Sequence, residues 1–295
     1  MLLRERMKEY EFSNSERIVV DFILEKENDI KELSTKEIAN ATFTSPSILI
    51  RIAKKLGYNG WLDLKEDYLK EVDYLHSHFQ NIDPNVPFSN ADTIIDISNK
   101  ITALHTEAAN DTLSLIQHDT LQKAVQIMRK SQCIKVFGVA NILFLAEQFK
   151  YNMRHIGKKC IIEKEQDESY FEAGLSNEKD CAILISYSGE TLTILKIAKI
   201  LQDHHVPMIA ITSIGENSLS KYANVTLHIS TRERSYSKIA GFSSLESISL
   251  ILDILYSCIF SLNYTANFNT KLSLSKSIET GRVITNAIIE DIKED

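Results

Sequence analysis

The densest group of residues able to do chemistry lies at 185–191, ISYSGET. Ser186, Ser188 and Thr191 set three hydroxyls around Gly189, with Tyr187 between the serines and Glu190 beside the glycine. Hydroxyls donate to an anion without a charge of their own to desolvate, and glycine lets backbone approach a ligand closely. An apolar run, CAILIS (181–186), precedes the group, and an amphipathic segment (190–203) follows, with Ile194, Leu195, Ala198 and Leu201 on one face. A strand handing over to a helix here would bring free N–H groups and the positive end of the helix dipole to the same point. The pattern predicts a site for a phosphate. A plainer reading is that Ser188 caps the helix, although one hydroxyl suffices for that.

The elements needed to position such a site are visible around it. CIKVFG (133–138), KCIIE (159–163), CAILIS (181–186), PMIAIT (207–212) and VTLHIS (225–230) are short, near-continuously apolar runs, as strands buried on both faces must be. Helical patterns at 141–156 and 190–203 separate the first pairs. The expected fold is α/β, a five-stranded parallel sheet flanked by helices, with ligands outside the carboxyl ends of the strands. Two more loops lie at that edge. ITSIGENSLS (211–220) offers Thr212 and Ser213, with Asn217 or Ser218 expected to cap a following helix. FGVANIL (137–143) turns at Gly138, but Ala140 and Leu143 occupy the later glycine positions of a dinucleotide fingerprint, so NAD is not expected; no other cofactor and no metal is expected either.

An enzyme acting on a sugar phosphate would need a general base beside the sugar carbon. Glu190, Glu233, His228 and Glu246 are the candidates. Each also has a structural reading: a helix-terminus acid, a residue of the charged loop TRER, a strand histidine and a first-turn helix acid. No acid–base pair is visible among them.

The 295 residues suggest about two domains. DPNVPF (83–88) brings two prolines close together, placing a linker at 76–90 between a helical domain (1–75) and the α/β domain (91–295). The net charge of −7 gives no global field for nucleic acid, so any such site must be local. Cys133, Cys160, Cys181 and Cys258 form no C-x-x-C pair and read as reduced thiols of a cytoplasmic protein. The start, MLLRERMKEYEF, has no apolar signal region. The apolar run at 248–260 is short for a membrane span and contains Asp253, so no membrane association is expected.

In the amino-terminal part, helices are expected near 14–26, 34–41 and 45–56. Ser34 and Glu37 form a capping-box pattern, Ser45 is a cap candidate with Pro46 at the first helical position, and Gly57 is a stop signal. Leu49, Ile52, Ala53 and Leu56 make a core stripe on the third helix. Ser47, Arg51, Lys54 and Lys55 lie opposite, with Ile48 and Ile50 at the flanks. Residues 1–75 are net acidic, yet 45–60 holds three bases and no acid. A short helix, a turn and a basic second helix follow the logic of a helix-turn-helix whose second helix enters the major groove. A solvated basic face is the alternative.

TKEIANATFTSPSILIRIAKKLGYNGWLDLK (35–65) resembles the amino-terminal helix-turn-helix of the RpiR (MurR/RpiR) family of bacterial transcriptional regulators. ISYSGETLTILKIAK (185–199) resembles the phosphosugar signature of the SIS, or sugar isomerase, domain, and STRERSYSKIAGFSS (230–244) the stretch after the last strand in the same regulators. The resemblance implies a DNA-binding homodimer or homotetramer, a roughly palindromic operator and a sugar-phosphate effector. It assigns Ser186, Ser188 and Thr191 to the phosphate, and Ser45, Ser47, Arg51, Lys54 and Lys55 to the recognition helix. Phe43 stands where the family's turn usually has glycine. Ile48 stands where threonine is common, implying an apolar contact to a thymine methyl. The first SIS loop lacks its usual serine, with Ile142 in that place, which leaves Asn141 as the candidate there.

Overall fold

The computed structural model describes residues 2–77 and 82–278. The amino-terminal part is helical: α1 (Leu3–Glu9), α2 (Asn14–Lys26), a 3-10 turn (Glu27–Glu32), α3 (Thr35–Ala41), α4 (Ser47–Lys55) and α5 (Trp61–Ser77). The helices close over one core that includes Met7, Val20, Ile23, Leu49, Ile52, Trp61 and Tyr68. Capping boxes start α2 at Ser13/Glu16 and α3 at Ser34/Glu37. α4 ends as its sequence predicts: Gly57 adopts φ +89°, and the N–H groups of Gly57 and Tyr58 return to the Lys54 and Ala53 carbonyls at 3.1 and 2.9 Å.

Two expectations about α4 are corrected. Ile48 is not a flank residue open to DNA. It is buried, because it shares a face with Ile52 one turn on and joins the core stripe. Ser45 caps nothing with its side chain: its hydroxyl pairs with that of Ser47 at 2.8 Å, and Pro46, already in right-handed helical conformation, occupies the cap.

The second part begins with α6 (Ile94–Leu115) and α7 (His118–Lys130), then alternates β1 (Cys133–Phe137), α8 (Ile142–His155), β2 (Lys159–Ile161), α9 (Gln166–Gly174), β3 (Cys181–Ile185), α10 (Leu192–Asp203), β4 (Met208–Ser213) and β5 (Val225–Ile229), and ends with α11 (Phe242–Ser261) and α12 (Tyr264–Ile278). The five strands form one parallel sheet in the order β2-β1-β3-β4-β5. Side chains alternate across it. Ile134, Val136, Ile183, Ile185, Ile209 and Ile211 pack with α7, α8 and α11. Phe137, Ala182, Leu184, Met208 and Ala210 pack with α10 and Ala173 of α9.

No helix follows β4. The chain makes a turn at 218–222, because Asn217 uses its side chain locally: Oδ1 accepts the Ser220 N–H at 3.0 Å and Nδ2 donates to the Thr212 hydroxyl at 3.2 Å. α11 runs 20 residues, longer than the apolar run suggested, and by length and apolarity alone it could span a bilayer. Here Ile248, Ile251, Leu252, Leu255 and Ile259 bury one face in the core, and Asp253 is exposed.

Candidate functional site

The sheet order fixes where a ligand crevice falls. β1 and β3 are neighbours, paired from Ile134↔Cys181 to Phe137↔Leu184, and the chain departs from them in opposite directions, toward β2 and toward β4. The loops after these two strands meet at this switch point. They are 138–141, which includes Gly138, and 186–191, which includes Gly189.

The second loop is tightly built. The buried Ser186 hydroxyl accepts the Gly189 N–H at 3.1 Å and pairs with the Thr191 hydroxyl at 2.8 Å. Gly189 has φ +69°, and a Cβ there would overlap the Asn217 side chain. The Gly189 carbonyl accepts the Leu219 N–H at 3.0 Å. Ser188 is exposed, and its hydroxyl accepts the Glu190 N–H at 3.2 Å. Thr191 is the cap residue of α10, but no side chain caps that helix, so the reading of Ser188 as a mere cap fails. The first intrahelical bond is Leu195 N–H to the Thr191 carbonyl at 3.0 Å, which leaves the N–H groups of the first turn directed outward beside two hydroxyls. A helix start with free N–H groups has the local chemistry an anion requires. Asn141 lies exposed at the start of α8 on the facing loop.

Not every residue singled out from the sequence joins this cluster. Tyr187 turns away. Its hydroxyl donates to the Glu233 carbonyl and accepts the Glu233 N–H, both at 2.9 Å, and its backbone carbonyl accepts the Ser213 N–H at 3.0 Å. Burial raises its phenol pKa well above the usual value. Thr212 is fully buried between Asn217 and the Tyr187 carbonyl. The Ser213 carbonyl accepts a hydrogen bond from His228 Nδ1–H at 3.0 Å. These three residues brace the loop from behind.

The other candidate surface is α4. Ser45, Ser47, Arg51 and Lys54 are exposed, and neither Arg51 nor Lys54 has a hydrogen bond or ion pair among the described residues. Lys55 differs: its ammonium lies 2.7 Å from the buried Glu16 carboxylate on α2. Burial opposes the charge on Glu16, but hydrogen bonds from Lys55 and from the Ser13 N–H and hydroxyl outweigh it and lower its pKa to about 2.

Two family models match the chain: the helix-turn-helix domain of the rpiR family over residues 1–73 and the SIS domain over residues 127–257. The chain belongs to the RpiR family. It is 26% identical over 245 residues to an uncharacterized HTH-type transcriptional regulator of Caldanaerobacter subterraneus, covering 83% of this chain and 85% of that one. Among solved structures it resembles the Vibrio vulnificus NanR protein complexed with ManNAc-6P, at TM-score 0.58 and 22% identity, covering 94% of this chain and 97% of that one. A putative sugar-phosphate isomerase from Listeria monocytogenes shares the fold over 66% of this chain and 100% of its own, at TM-score 0.55 and 16% identity. The chain is thus an RpiR-family transcriptional regulator with a SIS domain.

In this RpiR-family chain three of the four candidate bases, Glu190, His228 and Glu233, are held by structural hydrogen bonds. Glu190 Oε1 accepts the Ser218 N–H at 2.8 Å, a bond that lowers its pKa. Glu246 lies 3.5 Å from His105. His228 is held by Ser213, and burial lowers its pKa. Glu233 is not a loop charge but a buried anchor. It accepts the Ser243 and Ser244 N–H groups at 2.6 and 3.1 Å and the Ser244 hydroxyl at 2.6 Å, and it pairs with Lys238 at 2.8 Å. It thereby closes the start of α11. Sequence reasoning missed this role, as it missed Asn85, whose Oδ1 accepts the Arg234 N–H at 2.7 Å. Both partners lie in loops, where spacing carries no periodic signal.

Proposed function

We propose that this RpiR-family regulator binds a phosphorylated sugar at the loop 186–191 and that the binding alters its affinity for operator DNA. The observation that carries the reading is the uncapped start of α10, with the Ser188 and Thr191 hydroxyls beside it at the β1/β3 switch point. The phosphate would sit on the α10 N–H groups and these hydroxyls, and Asn141 would face the sugar. The exposed Ser45, Ser47, Arg51 and Lys54 would read the major groove. One recognition helix covers a half-site, so a homodimer or homotetramer on a roughly palindromic operator is expected. A sugar phosphate bound to the Vibrio protein of the same fold supports this ligand class. Activity as an isomerase is not expected: Glu190, Glu233 and His228 each hold a structural hydrogen bond, and Glu246 lies on α11 beside His105 rather than in the loop 186–191.

The test has two steps. Thermal-shift measurements against a panel of sugar phosphates should find a ligand that raises the melting temperature, while its uncharged parent sugar does not. Ser188→Ala or Thr191→Val should weaken that ligand by about 1.5–3 kcal/mol and leave ligand-free DNA binding intact. DNA duplexes selected from a randomised pool by the wild-type protein are then titrated with and without the ligand. Equal DNA affinity in both conditions would sink the sensor reading. Sugar-phosphate turnover abolished by changing Glu190, Glu233 or Glu246 would restore the enzyme.

A further inference from the structure

The turn between α3 and α4 contains a residue that serves the fold badly on two counts. α3 ends in a Schellman motif: the Phe43 N–H returns to the Asn40 carbonyl at 3.2 Å and the Thr44 N–H to the Ala39 carbonyl at 2.8 Å. Phe43 therefore holds the left-handed position, with φ +53°. Glycine is the usual occupant because a Cβ is strained there. The same chain places Gly57 (φ +89°) and Gly157 (φ +75°) just beyond the ends of α4 and α8. At the end of α10 the position is held by His205 (φ +55°), a polar residue at home in water and more tolerant of this conformation. Phe43 is also 98% exposed, more than any other large apolar side chain among the described residues. Glycine would relieve both the strain and the exposure. Strain and apolar exposure together, in the turn that leads into the basic helix, point to a role in binding.

Phe43 adjoins the exposed Ser45 and Ser47 at the start of α4. Ile48, which the sequence offered for an apolar contact, is buried and unavailable. We propose that Phe43 is a DNA-reading residue whose ring packs on a thymine methyl group in the major groove, beside the amino end of α4. Apolar contact with the thymine methyl is one of the few ways a side chain without donors or acceptors can discriminate between bases. The inference rests on α4 being the recognition helix, and its test separates the two.

Phe43→Gly and Phe43→Asn both remove the ring while keeping a residue that tolerates the left-handed conformation. Their affinity for duplexes selected by the wild-type full-length protein is measured by fluorescence anisotropy, alongside Arg51→Ala and alongside wild type on the same duplexes with thymine replaced by deoxyuridine. Melting temperatures are recorded in parallel. The expected result is roughly tenfold weaker binding for both Phe43 variants, no fall in melting temperature for Phe43→Gly, and a similar loss for wild type on a duplex lacking one thymine methyl. Unchanged affinity in both Phe43 variants, with Arg51→Ala weakened, overturns the role of Phe43 and leaves the helix as reader. Unchanged affinity in Arg51→Ala as well overturns the recognition-helix reading and this inference with it. A loss in the Phe43 variants with no deoxyuridine effect at any position overturns the thymine contact.

Discussion

At Gly189, backbone conformation and packing exclude a side chain for separate reasons. Its φ of +69° is left-handed, and a Cβ would overlap Asn217. Asn217 cannot yield freely, since it holds both Thr212 and the Ser220 turn. Gly189→Ala should therefore destabilise the protein by at least about 2 kcal/mol, as strain plus overpacking. It should also abolish the thermal shift given by a sugar phosphate. Chemical denaturation and the ligand screen check this; a variant as stable as wild type would show that the loop adapts. The placing of these hydroxyls and this glycine between a strand end and a helix start was legible from residue type and spacing, because the apolar run and the amphipathic segment that flank them carry opposite periodicities. The direction of Tyr187 was not. Its partner, Glu233, lies 46 residues away in sequence, and no local pattern says whether a ring beside two serines faces a ligand or a brace.

The basic face of α4 is fastened to α2 by an ion pair that gives the helix an acid-sensitive anchor. Glu16 is lowered from 4.5 to about 2 in the folded state. A carboxylate with a depressed pKa contributes stability above its unfolded pKa and loses that contribution as the pH falls from about 4.5 toward 2. A shift of this size corresponds to on the order of 3 kcal/mol. Glu16→Gln should therefore lower stability at neutral pH and flatten the decline on the acid side, as followed by denaturant melts between pH 7 and pH 2.5. An acid limb identical to that of wild type would place the titrating group elsewhere. Lys55, committed to Glu16, should matter less to DNA than Lys54. Lys54→Ala should flatten the salt dependence of binding more than Lys55→Ala does. At this scale the five strands and the three helices at 14–26, 34–41 and 45–56 were legible, because burial on both strand faces and helical spacing leave periodic marks. The helix expected after β4 was not there, because Asn217 and Ser218 carry the same signature in a cap and in a closed turn.

Across the whole molecule, a path of hydrogen bonds and one peptide link leads from the loop 186–191 to the segment that connects the two parts of the chain. Tyr187 grips the Glu233 backbone at both its N–H and its carbonyl. The Glu233 side chain fixes the start of α11. One residue on, the Arg234 N–H donates to the Asn85 side chain at 2.7 Å, and the Ile239 N–H donates to the Asn85 carbonyl at 2.9 Å. Asn85 is buried, and its Nδ2 donates to Asp83 at 2.8 Å. The proline-containing stretch that reads as a linker is thus docked, at Asn85, on the loop that braces the candidate site. Any ligand that shifts Tyr187 moves a strut ending on this segment, and α5, which ends at Ser77, carries the helix-turn-helix core. If the proposed sugar-phosphate and DNA sites are coupled, the coupling is reciprocal. Asn85→Ala removes the side-chain acceptor but keeps the backbone one, so it should weaken the latch without releasing it. The expected outcome is near wild-type affinity for sugar phosphate alone and for DNA alone, with the factor by which each alters the other falling toward one. Tyr187→Phe, which loses both bonds to Glu233, should act in the same direction. The measurement is a DNA titration with and without saturating sugar phosphate, repeated as a ligand titration with and without DNA. A coupling factor unchanged in both variants would exclude this route and leave rearrangement between subunits as the carrier of the signal.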